Sequence, residues 1–294
     1  MRTLSGVTSG AMDQADAGTS GAAAQPGAEP DAGGAAAAWA RDLDAWRIPD
    51  AIMAQAPRSP WIHPVELFRA DPDTTPDSPS HRLARQGVPP AGSVLDVGCG
   101  GGRAAFAVVP PATQVIGVDQ QQGMLDAFAA VAAQRGVGHA EILGDWPAVQ
   151  DRTPSADVVV CHHVAYNVAA LVPFVAALHA HARRRVVLEL PERHPLSSMA
   201  PFWRHFWGLE RPAGPTATDA LAVVQEAGVP ARIEVWEEDG GRRLSTVPWA
   251  QQVEFLRIRL CLTPDRDGEL AELMQAQPPP GPRRIATIWW DADA

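Results

Sequence analysis

Val94-Leu95-Asp96-Val97-Gly98-Cys99-Gly100-Gly101-Gly102-Arg103 is the stretch from which the rest of the chain can be placed. Apolar residues flank an acid, a glycine cluster follows, and Ala104 to Val109 continues as an Ala-rich apolar run. The pattern predicts a buried strand, a tight turn and the start of a helix. Gly98, Gly100 and Gly102 let the backbone turn with positive φ and approach a ligand with no Cβ in the way. The helix behind the turn would offer free N–H groups and the positive end of its dipole.

Outward from this turn, strand and helix signals alternate. Gln114 to Asp119 reads as a second strand that ends in an acid, and Gly123 to Arg135 as a helix stopped by Gly136. Ala140 to Leu143 is a third strand, Ala156 to Cys161 a fourth and Arg185 to Leu190 a fifth, with a helix over Val172 to Ala182 before the last of these. Continuous Val/Ile/Leu runs of this kind are strands buried on both faces, as in a parallel sheet between helices. Farther on, Thr218 is placed to cap a helix from Asp219 to Ala227, and Arg232 to Trp236 alternates as a sixth strand. Two helices, over 248–261 and 264–276, precede a final strand from Arg284 to Trp290.

Residues 1–38 are Ala, Gly, Ser, Gln, Asp and Pro with almost no large apolar side chains, which predicts a disordered tail. Residues 39–90 read as an N-terminal helical cap, with Trp39, Leu43 and Trp46 at helical spacing and prolines interrupting the chain from Pro57 to Pro79. Residues 91–294 hold the strand-helix alternation. The net charge is −10, which disfavours a phosphate backbone as partner, so no nucleic acid is expected. Cysteines 99, 161 and 261 are odd in number and widely spaced, which argues against a disulfide framework or a zinc site and for a cytoplasmic setting. No run of about 18 apolar residues is present, so no membrane partner is expected.

A dinucleotide fingerprint wants Gly-x-Gly-x-x-Gly, and here Arg103 stands at the third position. The run reads instead as Asp-x-Gly-x-Gly-x-Gly and resembles motif I of the class I S-adenosylmethionine (SAM) dependent methyltransferases. The resemblance covers residues 91–294. It implies an α/β, Rossmann-like fold, with a mostly parallel seven-stranded sheet and helices on both faces. This chain departs from the family in placing a two-helix piece (248–276) between its last two strands, and an aromatic, lid-like insertion (191–218) after the fifth. The resemblance further implies S-adenosyl-L-methionine as cofactor. Asp96 and the turn Gly98, Cys99, Gly100 and Gly102 would then surround its methionine part, with the backbone of His162 alongside. Asp119, about twenty residues past the glycines and followed by Gln120, would accept from the ribose hydroxyls. Asp145 would accept from the adenine amino group, with Trp146 packed on the ring. Each has a plainer alternative: an acid at a strand end is often a helix cap, and Trp146 alone is often core.

Methyl transfer from a sulfonium is an in-line displacement, served by alignment and by a base where the nucleophile must lose a proton. Within Cys161-His162-His163-Val164-Ala165-Tyr166-Asn167, His163 is the first candidate for that base and Tyr166 the second. The segment lacks the Asn/Asp-Pro-Pro-aromatic motif of the enzymes that methylate exocyclic or amide nitrogens, which leaves a small-molecule acceptor. His194 would stand at the hinge of the aromatic segment Phe202-Trp203-Arg204-His205-Phe206-Trp207, read either as a substrate wall or as a helix docked on the N-terminal tryptophans. No histidine pair has metal-ligand spacing with a third ligand behind it, so no metal is expected, and His179 and His181 read as surface residues. The His-His-x-x-Tyr-Asn and His-Pro-Leu segments resemble those of an actinobacterial-type group of methyltransferases. The alternatives are a non-catalytic SAM-binding scaffold of the same fold and an NAD(P)-dependent oxidoreductase, the latter opposed by Arg103.

Overall fold

A computed structural model describes residues 33–61, 65, 70–71, 73–238, 247–278 and 281–292. The expected tail before residue 33 lies outside them. The predicted strands form one seven-stranded sheet in the order β3-β2-β1-β4-β5-β7-β6. They are β1 (Ser93–Val97), β2 (Gln114–Asp119), β3 (Gly138–Leu143), β4 (Ala156–His162), β5 (Ala182–Pro191), β6 (Arg232–Glu238) and β7 (Arg283–Asp291). β1 to β5 pair in parallel, and β7 runs antiparallel between β5 and β6. The connection that carries the two-helix piece leaves the β6–β7 pair intact, in register from Arg232 opposite Trp289 to Glu238 opposite Arg283.

Alternation along the strands divides the core between two faces. Val94, Val158, Val160 and Val187 pack against Ala84 of helix α3 (Pro79–Gly87) and Ala104 of helix α4 (Arg103–Phe106). Beside them Val115 and Phe106 pack on Leu125, Phe128 and Val131 of helix α5 (Gln122–Arg135). On the other face Leu95, Ile116, Val159, Val186 and Ile288 meet helices α1 (Ala35–Asp44), α6 (Leu171–His181) and α8 (Ala217–Glu226) through Trp39, Phe174, Leu178 and Val223.

Several local expectations are corrected. α1 begins at Ala35, inside the stretch read as tail, because alanine is the best helix former and Ala35 and Ala36 find an apolar surface to pack on. α4 is a single turn, because Pro110 and Pro111 bring no N–H to continue it. Thr216, not Thr218, caps α8: its side chain accepts from the Asp219 N–H while the Asp219 carboxylate accepts the Thr216 N–H at 2.7 Å, a reciprocal capping box. His179 and His181 are half-buried, since Nδ1 of His179 accepts the Trp290 indole N–H and the His181 ring lies edge-on to Trp146.

The segment read as one N-terminal cap occupies both faces of the sheet. Trp39 of α1 is fully buried on the α6/α8 side and donates to the Val168 carbonyl at 2.8 Å. α3 lies on the opposite side, where Ser80 Oγ meets Thr287 Oγ1 of β7 at 2.6 Å. The aromatic and two-helix insertions turn out to pack on each other. Phe202 and Trp203 of α7 (Ala200–Trp207) share a separate core with Ile48, with Val253 and Leu256 of α9 (Trp249–Arg259), and with Leu270 of α10 (Asp267–Ala276). Trp207 fastens the two pieces by donating its indole N–H to the Leu260 carbonyl at 2.7 Å. Contact with the N-terminal tryptophans runs through Arg211, whose guanidinium lies over the rings of both Trp46 and Trp203. Among the described residues no helix is long and apolar enough to cross a membrane.

Candidate functional site

The sheet order reverses between β1 and β4, and in open α/β sheets the crevice beyond the strand carboxyl ends at such a point is where ligands sit. The glycine turn occupies that position. Gly98, Gly100 and Gly102 have φ of +71°, +50° and +88°. A Cβ on Gly98 would overlap Val164 of the β4 loop, and one on Gly102 would overlap Phe106. The N–H groups of Gly98 and Cys99 both donate to the Val118 carbonyl, at 2.8 and 3.0 Å, which lays the turn against β2.

Each predicted cofactor residue has a definite place around this turn. Asp96 is buried, and its Oδ2 accepts the Ala105 N–H at 3.0 Å, tying β1 to α4. Burial pushes its carboxyl up to about 7, with the Asp119 charge adding and the Ala105 bond opposing. Asp119 accepts the Gly100 N–H on Oδ2 and the Gln121 N–H on Oδ1, both at 2.9 Å. Each of its oxygens keeps a lone pair for another donor. The Gly144 N–H donates to the Asp119 carbonyl at 2.9 Å, which sets exposed Asp145 beside Asp119 at the rim. Gln120 is exposed next to it. Trp146 is half-buried, packs on the main core and gives its indole N–H to the Phe174 carbonyl at 3.4 Å. Cys99 is buried, and its thiol is pushed well above the ordinary range by burial and the nearby Asp96 and Asp119.

The predicted reacting residues fall into two groups. His163 has φ +62° and turns its ring back so that Nε2 lies 3.0 Å from Glu189 Oε1. His162 pairs with Glu189 in the β4–β5 register, its Nδ1 3.8 Å from the same oxygen. Tyr166 and His194 stand together elsewhere, with ring centroids 5.1 Å apart. The Tyr166 hydroxyl donates to the Pro191 carbonyl at 2.9 Å, and burial, then Asp219 and Glu192, raise its pKa. A phenol held this way pins the end of β5. His194 stacks on Trp46 at 3.9 Å, its Nδ1 accepts the Leu196 N–H, and burial lowers its pKa to about 4. It locks the start of the aromatic segment.

Residues that the sequence reading passed over complete the first group. Glu189 is an acid inside the apolar run Val186 to Leu190, which is a signal in a strand buried on both faces. His81 comes from α3, in a segment whose prolines hide its approach to the cleft. Ser78 Oγ donates to Glu189 Oε2 at 3.2 Å and lies 3.0 Å from His81 Nδ1. Burial lowers His81 to about 3 and His162 to about 4, so both imidazoles are neutral at pH 7. Burial opposes the Glu189 charge, but its imidazole neighbours hold the carboxyl well below the usual range.

The turn and its rim fit a nucleoside-bearing ligand. The turn is rich in glycines with positive φ, Asp119 offers spare lone pairs to vicinal hydroxyls, and Asp145 offers an exposed acceptor one strand away. Residues 94–185 match a family model described as a methyltransferase domain. An uncharacterised protein of Haemophilus influenzae is 29% identical over 210 residues, spanning 68% of this chain and 76% of that protein. The crystal structure of the YcgJ protein from Bacillus subtilis superposes with a TM-score of 0.50 at 16% identity, covering 72% of this chain and 97% of that one. Magnesium protoporphyrin IX methyltransferase from Synechocystis, crystallised with S-adenosylhomocysteine, gives a TM-score of 0.46 at 16% identity, over 72% of this chain and 80% of that one. Over residues 94–185 the chain is similar to a methyltransferase domain, and its seven-stranded sheet carries the glycine turn at the switch point, as a Rossmann-like methyltransferase fold does.

Proposed function

We propose that the chain transfers a methyl group from S-adenosyl-L-methionine to a small-molecule acceptor. The observation that carries this is the glycine-rich turn Gly98–Gly102 at the β1/β4 switch, tied through Gly100 to the Asp119 carboxylate. When bound there, the cofactor supplies an electrophilic methyl group on a sulfonium. The chain binds and aligns. Gly98, Cys99, Gly100 and Gly102 line the methionine part, with the His162 backbone beside them and Asp96 holding the turn from below. Asp119 accepts from the ribose hydroxyls, Gln120 flanks it, Asp145 accepts from the adenine amino group, and Trp146 backs the ring.

The acceptor side is the half-exposed His163, held by Glu189. His163 orients the acceptor or takes its proton, while Tyr166 and His194 hold the loops behind it. The net charge of −10 speaks for a small acceptor over a nucleic-acid backbone. Asp119→Ala is the test. Losing a charged acceptor for the ribose lowers SAM affinity by roughly 10- to 100-fold, in a protein whose circular dichroism is unchanged. An Asp119→Ala protein that binds SAM as tightly as the wild type contradicts the assignment. Mass spectrometry of metabolite mixtures, read for a methyl-sized mass gain that needs both protein and SAM, then identifies the acceptor.

A further inference from the structure

We propose that His81, His162 and Glu189 form a binding site for a divalent transition-metal ion of the zinc type. The three come from separate elements, α3, β4 and β5, and their ligand atoms lie within 4.8 Å of one another. Two neutral imidazoles and one carboxylate are a donor set that suits such ions. Nε2 of His81 and Nε2 of His162 are both buried and have no hydrogen-bond partner. The side chain of His162 is 9% exposed, that of Glu189 8%, and His81 as a whole 4%. Buried polar atoms are nearly always satisfied, so an unpartnered imidazole nitrogen on each histidine of a cluster that also holds a carboxylate points to a missing partner.

The surrounding shell is arranged for the same purpose. Nδ1 of His81 accepts the Ser78 N–H at 3.2 Å and lies 3.0 Å from Ser78 Oγ, which donates on to Glu189 Oε2 at 3.2 Å. An ion on Nε2 would move the imidazole proton to Nδ1, facing Ser78 Oγ, the outer-shell pattern that orients metal-bound histidines. His163 Nε2, 3.0 Å from Glu189 Oε1, fixes the carboxylate from the solvent side. Arg103 acts on both histidines and Arg85 on His81, and Glu189 is the acid that offsets them. Three protein ligands leave a four-coordinate ion one position for an exogenous donor. His162 ends β4 and Glu189 lies near the end of β5 opposite it, so the site sits at the carboxyl edge of the sheet, the edge that also carries the Gly98 turn. Its existence is independent of the methyl-transfer reading, since it rests on the donor set alone.

The experiment is metal titration of the tag-free full chain after removal of metals with a chelator, followed by dialysis. Zn2+ is titrated against a chromophoric competitor, and Co2+ is followed by its visible absorption. Expected is saturable binding of one ion per chain with intense tetrahedral-type Co2+ bands. His81→Gln, His162→Gln and Glu189→Gln each weaken it by about 100-fold or more, while His163→Gln weakens it by about 10-fold, in keeping with an outer-shell role. His139→Gln and His205→Gln, at exposed ion pairs elsewhere, leave it unchanged. Should a cluster variant fail to fold, the wild-type protein decides alone: Zn2+ must shift the imidazole NMR signals of His81 and His162. No saturable binding, binding that survives His81→Gln and Glu189→Gln, or shifts confined to other histidines would overturn the site. SAM binding plays no part in these readouts, so failure here and failure of the methyltransferase reading are distinguishable.

Discussion

Single residues at the glycine turn carry the account's strongest structural demands. Gly98 sits at φ +71° with Val164 against the space a Cβ would fill. Gly98→Ala therefore pays both backbone strain and a displaced loop. A loss of about 2 kcal/mol of unfolding free energy is expected in urea denaturation. His194 makes a second prediction. Burial lowers its pKa to about 4, from 6.5 in the unfolded chain, so the folded form holds it neutral. The unfolded state then binds more protons below pH 6.5, and stability falls as pH drops from 6.5 toward 4. His194→Phe keeps a ring against Trp46 and removes the titration. Between pH 6 and 5 the variant should lose about 1 kcal/mol less than the wild type in paired denaturation curves. An equal loss in both proteins would refute the neutral, stacked histidine.

At the scale of elements, what was legible in the sequence and what was not have a common physical cause. β1, β2, β4 and β5 are continuous runs of β-branched and aliphatic residues bounded by turn signals, and a local pattern suffices to find them. Asp119 ends β2, Asp145 follows β3 and Asp96 is the last residue but one of β1, so the strand pattern also places them at the correct sheet edge. The His81–Glu189 cluster was not legible, because α3 and β5 are far apart in the chain and meet only through the tertiary fold. Thr216 displaced Thr218 as cap through a reciprocal bond to Asp219, which competes on geometry that spacing alone does not rank. The aromatic segment was legible as unusual but not as one half of a second core, since its partners Val253, Leu256 and Leu270 lie far along the chain and meet it only in the fold. Trp203 is fully buried in that core. Trp203→Ala should cost about 3–5 kcal/mol. Trp207→Phe, which strands the Leu260 carbonyl, should cost about 1 kcal/mol. Chemical denaturation monitored by tryptophan fluorescence checks both, and a neutral Trp203→Ala would mean that the two insertions do not support each other.

For the molecule as a whole, the sheet is a platform with two differently furnished edges of one crevice. β1, β2 and β3 present the glycine turn, Asp119 and Asp145, a backbone-rich and acidic rim for a nucleoside. β4 and β5 present imidazoles and a buried carboxylate. α1 and α3 reach these strands from opposite faces, so the N-terminal segment packs on both sides of the sheet. Trp39 holds the β4 loop at Val168, and α3 delivers His81. Trp39→Phe, which removes that one hydrogen bond, should leave the fold in place at a cost of about 1 kcal/mol in thermal or chemical denaturation.

The central claim is that the crevice binds SAM, and calorimetric titration of the purified chain tests it most directly. SAM and S-adenosylhomocysteine are expected to bind with micromolar affinity, roughly −8 kcal/mol, and NAD(P)H not to bind. Binding of the nicotinamide with neither sulfur nucleotide would contradict the account.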